Sequence, residues 1–175
     1  MSVIARKYLA RKAKRIKRQV RAANLSAAET ALIVYDASDA TTEKKARNYA
    51  RFLKEEGIKA DSIAFYKLKG KEDKRPEDEL NYLYFDKKSI NWMGFPKDTR
   101  VLKCIAKKYH LLIDLNFNNN FTLEVISSLS TANFKVGKSG MYQDEVCDLT
   151  IATKDNNLDY YLSQVSTYLK MINKK

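Results

Sequence analysis

The 175-residue chain has only two cysteines, two prolines and five glycines. Cys104 and Cys147 have no metal-ligand spacing, so neither a disulfide scaffold nor a zinc site is predicted. No run approaches the roughly 18 apolar residues that a bilayer span needs, and the N-terminus lacks the apolar region of a secretory signal. We therefore expect a cytoplasmic protein without an integral membrane segment.

Sequence motifs for catalysis are also scarce. The glycines form no GxGxxG pattern, and VGKSG at residues 136–140 resembles only the end of a P-loop, because Ala132 occupies the position of the earlier glycine. His110 is the single histidine, and no serine lies in a GxSxG context. We predict no catalytic residue, no metal and no cofactor, and lean towards a protein that is not an enzyme.

Positive charge is abundant and unevenly placed. The formal net charge is +12, and residues 1–24 carry nine basic side chains and no acid, the first carboxylate being Glu29. The rest of the chain has 24 basic against 21 acidic residues. This distribution predicts a basic arm at residues 1–26, joined to a single domain at residues 30–175, and it favours a polyanion as partner.

The basic arm has the composition of a helix, being rich in Ala, Lys and Arg and free of Gly and Pro. At helical spacing, seven basic residues fall within an arc of about 140°. Ile4, Leu9, Ile16 and Val20 lie on the opposite side. The predicted nucleic-acid-binding residues are those of the basic arc: Arg6, Lys7, Arg11, Lys14, Lys17, Arg18 and Arg21.

Such a helix has four interpretations. It can bind a polyanion, lie on an anionic membrane surface, act as a mitochondrial targeting segment, or pack on the domain through Ile4, Leu9, Ile16 and Val20 with its charges solvated. Seven like charges on one arc repel one another, which favours the polyanion.

Beyond the arm, short apolar runs alternate with helical patterns, as in α/β domains. Asp39, Asp98, Asn120 and Asn157 (or Asn156) stand where helices would begin and have side chains suited to capping them. The pattern predicts a three-layer α/β sandwich with a mostly parallel sheet of five or six strands, plus the basic amphipathic N-terminal helix. The predicted strands are residues 30–35, 62–68, 80–85, 110–116, 133–137 and 147–153.

Polar residues follow two of the predicted strands, at the edge where parallel sheets bind ligands. The candidate ligand crevice consists of Asp36, Ser38, Asp39, Asp114 and Asn116. Two strand-end aspartates can hold a metal or a ribose hydroxyl, but aspartates here are also common in turns and caps, and no third ligand has convincing spacing.

Trp92 and Phe95 lie in an apolar loop around Gly94. An exposed tryptophan in such a loop indicates a surface for a protein partner, whereas a loop folded over the sheet would bury both rings.

Four segments carry a family resemblance: TALIVYDAS, FDKKSINWMGFP, LLIDLNFNNNFTLEVISSLSTANFKVG and LSQVSTYLKMIN. Together they resemble a bacterial family of small, basic α/β proteins of unknown function, and residues 127–137 are the most specific part. The resemblance spans nearly the whole chain and implies a bacterial cytoplasmic protein with this α/β body. It assigns no catalytic residue and weighs against the targeting segment.

These observations predict a non-enzymatic RNA-binding accessory protein that docks its basic helix on phosphates of structured RNA, with ribosomal RNA and the ribosome favoured as partners. The first alternative is a small-molecule-binding or enzymatic domain that uses the crevice near Asp36 and Asp114. The second is a peripheral membrane protein attached through the same helix.

Overall fold

The computed structural model describes residues 2–70, 72–153 and 156–172. Met1, which belongs to the predicted arm, and residues 71, 154–155 and 173–175 of the predicted domain lie outside the described residues. The described residues form six helices and six strands, in the order α1 (Val3–Ala13), β1 (Thr30–Asp36), α2 (Ala40–Glu55), β2 (Lys59–Phe65), β3 (Tyr82–Phe85), α3 (Thr99–Ala106), β4 (Leu111–Asp114), α4 (Phe121–Leu129), β5 (Phe134–Lys138), α5 (Gln143–Val146), β6 (Leu149–Ile151) and α6 (Leu158–Met171), with a short 3₁₀ helix at Lys87–Ser89.

The six strands form one sheet in the order β3-β2-β1-β4-β5-β6, and every neighbouring pair is parallel. At the centre, Val34 of β1 pairs with Ile63 of β2 and Asp114 of β4. Chain order runs outward in opposite directions from β1 and β4, so their carboxyl ends form the switch point at which open α/β sheets bind ligands. The predicted α/β class with a mostly parallel sheet is confirmed.

Helices cover both faces of the sheet. Alternate residues of β1 point to opposite sides, so that Ile33 packs with α2 and α6 while Leu32 packs with α3 and α4. Both faces of the central strands are therefore buried, which explains why TALIVY is apolar almost throughout. Among the described residues, no helix has the length and apolar character that would let it cross a bilayer.

The predicted helix starts are confirmed by their side-chain caps. Asp39 accepts hydrogen bonds from the backbone N–H groups of Thr41 and Thr42, and Asp98, Asn120 and Asn157 cap α3, α4 and α6 in the same way. Each cap satisfies amides that the first helical turn leaves unpaired. The sequence therefore locates the carboxyl edge of the sheet, where these helices begin.

The strand bounds differ from the prediction by up to three residues, most of all in β2, and one short helix was not predicted. β2 begins at Lys59 rather than at residue 62, because Gly57 ends α2 at a positive φ of 84° and Ile58 is already buried. Helix α5 was not predicted, since its four residues are too few to show a helical period.

Candidate nucleic-acid interface

Helix α1 is docked on the domain through two residues spaced one turn apart. Ala5 and Leu9 are buried against Phe95, Phe121 and Val125. Of the four residues in the interpretation that packs the helix on the domain, Leu9 is buried, Ile16 is partly exposed, and Ile4 and Val20 are exposed.

The predicted basic arc over the whole arm is wrong, because α1 ends at Ala13. Lys14 is the C-cap, and the chain then leaves the helix along the amino ends of the strands. There the N–H of Arg21 donates to the carbonyl of Asn133 at 3.2 Å, and that of Leu25 donates to the carbonyl of Leu169 at 3.1 Å. Contacts with the domain thus override the helix propensity of the second half of the arm.

Arg18 is part of the fold rather than of a free cationic surface. Its guanidinium binds both carboxylate oxygens of Asp148, at 2.6 and 2.8 Å, and also donates to the carbonyls of Ala132 and Asn133. The Arg18 and Asp148 side chains are only 17% and 13% exposed. A planar, bidentate pair of this kind fixes the position of the arm.

Arg6 is also held by the domain. It lies 3.2 Å from the carboxylate of Glu124, whose side chain is 7% exposed, and over the ring of Phe121. Burial raises the pKa of Glu124, and the positive charge of Arg6 opposes that rise. Arg6 therefore compensates a buried acid.

The other five predicted contact residues are exposed. Lys7, Arg11 and Lys14 are spaced by four and three positions, on the side of α1 away from Ala5 and Leu9. In the part of the chain that the structure describes, none of the five forms an ion pair. The exposed arm cations, as we call this set, are Lys7, Arg11, Lys14, Lys17 and Arg21.

At the carboxyl edge, the strand-end aspartates form turns. Asp36 accepts from the N–H of Ser38 at 2.9 Å, and Asp114 accepts from the N–H of Asn116 at 2.8 Å. Both are hydrogen bonds to the residue two positions ahead, as aspartate makes in tight turns. Ser38 also accepts from the N–H of Lys67, while Asp39 is occupied in capping α2.

The second oxygens of the two aspartates are joined through a polar network. Asn120 donates to Asp36 at 3.3 Å, and its own backbone N–H and C=O bind the side chain of Asn116. Tyr142 in turn donates to Asp114 at 2.6 Å and lies 3.0 Å from the Nδ2 of Asn116. The structure thus brings Asp36, Asp114 and Asn116 together with their polar atoms bound to protein partners, as expected of turn residues.

Asp114 is the most deeply buried acid of this network. Burial raises its pKa, against the lowering effect of hydrogen bonds from Tyr142 and the Asn116 N–H. Burial also raises the pKa of Tyr142, with the nearby Asp114 acting in the same direction. Over the described residues, no cluster of three or more His, Cys, Asp or Glu side chains is placed to hold a metal ion.

Sequence reasoning missed a buried lysine. Lys135 on β5 is 2% exposed and its Nζ donates to the carbonyl of Ser127 at 2.6 Å, in the last turn of α4. Burial lowers its pKa to about 8, and the charge of Arg18 acts in the same direction. The only sequence signal was its position between Phe134 and Val136 in an apolar strand.

The P-loop-like segment has a packing role. A Cβ on Gly137 would lie 2.7 Å from the side chain of Gln143 and 2.8 Å from the sulfur of Cys147, so α5 packs directly against the backbone of β5. The side chain of Lys138 binds Asn156 and lies over the ring of Phe117. This geometry leaves no phosphate cradle.

The apolar loop around Gly94 separates its two aromatic residues. Trp92 is 84% exposed, whereas Phe95 is buried, with its ring 5.1 Å from that of Tyr8 and 6.0 Å from that of Phe121. The expectation that Phe95 contacts a protein partner is wrong, because this ring is buried against α1. A protein partner at Trp92 stays a prediction.

Comparison with curated proteins and with solved structures finds no match to this chain. A family model matches residues 2–172, and its description reads "Family of unknown function (DUF6913)".

Proposed function

The chain belongs to this family of unknown function, and we propose that it is a non-enzymatic, cytoplasmic RNA-binding protein whose docked basic arm lies on the phosphates of structured RNA. The bacterial origin that the sequence resemblance implies stays a prediction.

One observation supports the proposal: of the seven predicted contact residues, two bind acids of the domain and five are exposed. Arg6 and Arg18 are engaged with Glu124 and Asp148, and they hold the arm against the domain. The exposed arm cations point outward from this fixed backbone with no carboxylate within the arm to neutralise them. A surface of this kind binds phosphates without ordering a free tail first.

Contacts of Lys and Arg with phosphates position a nucleic acid without reading its sequence. The proposal therefore favours RNA recognised by shape and charge, and ribosomal RNA is the most abundant such polyanion in a cell. On this ground we propose association with the ribosome.

The test measures RNA affinity as a function of salt. With about five phosphates neutralised, one for each exposed arm cation, the slope of log K against log salt should be roughly −3.5 to −4.5. The variant Lys7→Gln, Arg11→Gln, Lys14→Gln, Lys17→Gln should make that slope shallower by roughly 3. A structured ribosomal RNA fragment, labelled for fluorescence anisotropy, supplies the readout.

The matched control removes the same charge from exposed lysines on the domain. It replaces Lys67, Lys87, Lys88 and Lys97 by glutamine, all of them exposed. Equal loss of slope in both variants would show general electrostatics and would refute a specific role of the arm. Sedimentation of a cell extract then tests whether the wild type, but not the arm variant, travels with ribosomes.

A second candidate function follows from two apolar residues among these charges. Val3 and Ile4 on α1 are 70% and 66% exposed, as in helices that insert an apolar edge into an anionic membrane surface. Flotation with vesicles rich in anionic lipid separates the two functions. Loss of vesicle binding in Ile4→Ser, with RNA binding unchanged, would favour the membrane.

A further inference from the structure

A pocket of about 540 Å³ opens at the amino ends of β1 and β2. It lies at the opposite edge of the sheet from Asp36 and Asp114, which end β1 and β4. Its volume is in the range of sites that hold a drug-sized or nucleotide-sized ligand. We refer to it as the amino-edge pocket.

Three cations at the amino-edge pocket are exposed and unopposed. Arg51 and Lys54 come from the end of α2, and Lys59 begins β2. No ion pair involves these three within residues 2–70, 72–153 and 156–172, whereas Lys107 in the same pocket is 2.6 Å from Asp61. Because α2 ends here, its dipole presents carbonyl oxygens, and any attraction for an anion comes from the side chains.

The pocket also offers flat surfaces for stacking. The guanidinium carbon of Arg47 lies 4.3 Å from the ring centroid of Tyr82, and both residues line the pocket. Glu79 and the hydroxyl of Tyr84 bind the same guanidinium, at 2.5 and 2.6 Å from its Nη2, and fix its plane. Aromatic rings and guanidinium planes are the surfaces on which proteins stack unpaired bases.

The remaining lining residues of the pocket supply apolar contacts and a hydrogen-bonding amide. Ala50 and Ile58 give a buried apolar floor, and the exposed Asn81 places an amide at the rim. An amide can both donate to and accept from the edge of a base.

We propose that the amino-edge pocket binds a nucleoside phosphate, with its base against Tyr82 and Arg47 and its phosphate on Arg51, Lys54 and Lys59. The site goes beyond the proposed function, because it shares no residue with the arm. A free nucleotide and one unpaired nucleotide of an RNA strand present the same chemistry.

The arm and the pocket nevertheless lie on one edge. The backbone of Arg21 is bonded at the start of β5, and Lys59 starts β2. Three strand spacings separate β2 from β5 in the sheet order, which corresponds to roughly 15 Å. A single strand of RNA can therefore contact both.

The first measurement uses the full chain with AMP, UMP and inorganic phosphate as probes, by calorimetric titration. The pocket variant is Arg51→Gln, Lys54→Gln, Lys59→Gln, and its control is Lys87→Gln, Lys88→Gln, Lys97→Gln, with equal charge removed. We expect the pocket variant to weaken nucleotide binding about tenfold or more and the control to leave it nearly unchanged. Equal effects of both variants would overturn the proposal.

A separate variant tests whether the ring of Tyr82 stacks on the base of the nucleotide. Tyr82→Leu should weaken AMP binding by about tenfold while leaving inorganic phosphate binding as it is. Inorganic phosphate bound as tightly as AMP would reduce the pocket to a plain anion site and refute the nucleoside part.

The source of the ligand is resolved with RNA oligomers that carry 4-thiouridine. If the mononucleotides do not bind but the oligomers crosslink at the pocket, the ligand is a nucleotide of RNA. Mononucleotide binding without crosslinking of the oligomers identifies a free nucleotide, and its persistence in the arm variant shows that the pocket acts independently of the arm. If the mononucleotides do not bind and the oligomers do not crosslink at the pocket, the proposal is overturned, and the arm is then judged by its own salt dependence.

Discussion

Arg18 and Asp148 form a two-point contact, with one guanidinium nitrogen on each carboxylate oxygen, across 130 residues of sequence. Asp148 also accepts from the backbone N–H of Lys135, so one carboxylate ties the arm to β5 at the start of β6. The arm is therefore a fitted part of the domain, and the charges that remain on it have fixed positions.

Replacing Arg18 should affect stability more than RNA binding. Arg18→Gln leaves the Asp148 carboxylate, whose side chain is 13% exposed, without its cation and should lower the free energy of unfolding by roughly 1 to 3 kcal/mol. The neighbouring exposed Lys17→Gln should stay within about 0.5 kcal/mol of the wild type. Urea unfolding measures both, and a neutral Arg18→Gln would contradict the anchoring role.

Asp114 should make the protein less stable as it ionises. Since burial raises its pKa in the folded state, stability declines as pH rises from the unfolded value of about 4 to the folded value, and the loss persists above it. Asp114→Asn removes that loss and should unfold at a higher temperature than the wild type at pH 7. The two melting temperatures should converge as the pH falls towards 4, and a constant difference would contradict the raised pKa.

Lys135 gives a second pH dependence, of opposite sign. Its folded pKa is about 8, against about 10.4 in an unfolded chain, so above pH 8 the folded state releases a proton that the unfolded state keeps. Stability gained from this group should rise between those two values. Subtracting the profile of Lys135→Met from that of the wild type isolates the effect from tyrosines and cysteines, and a flat difference would refute it.

A side chain at position 137 should lower the stability of the protein. Gly137→Ala forces a Cβ to within 2.8 Å of Gln143 and Cys147, and such overpacking costs about 1 to 3 kcal/mol. Gly70→Ala is the matched control, because its Cβ meets nothing within 4 Å. Thermal unfolding of both variants measures the difference, and equal melting temperatures would show that α5 moves aside freely.

Features that depend on neighbouring residues were predictable from the sequence. The cap at Asp39 follows from the chemistry of one helix, and the structure has it as predicted. The turns at Asp36 and Asp114 were also foreseen as an alternative to a ligand crevice, because aspartate bonds its own backbone two residues ahead.

Features that depend on tertiary contacts were not predictable. The composition of residues 14–21 favours a helix, but bonds to Asn133 and Asp148 hold this segment in another path. Lys135 has the polarity of a solvent-facing residue, yet β5 lies between β4 and β6 and is covered on the side where this lysine points. A single sequence does not state which distant element covers a given residue.

The attachment of the arm to α6 orders events during synthesis. Asn24 donates to the carbonyls of Lys170 and Ile172, and the N–H of Leu25 donates to that of Leu169, so the end of the arm is bound by a helix that is synthesised almost 150 residues later. Until α6 has been synthesised, the end of the arm lacks these hydrogen bonds. Synthesis of α6 therefore adds contacts at residues 24–25 to those that Arg6 and Arg18 can form earlier with Glu124 and Asp148.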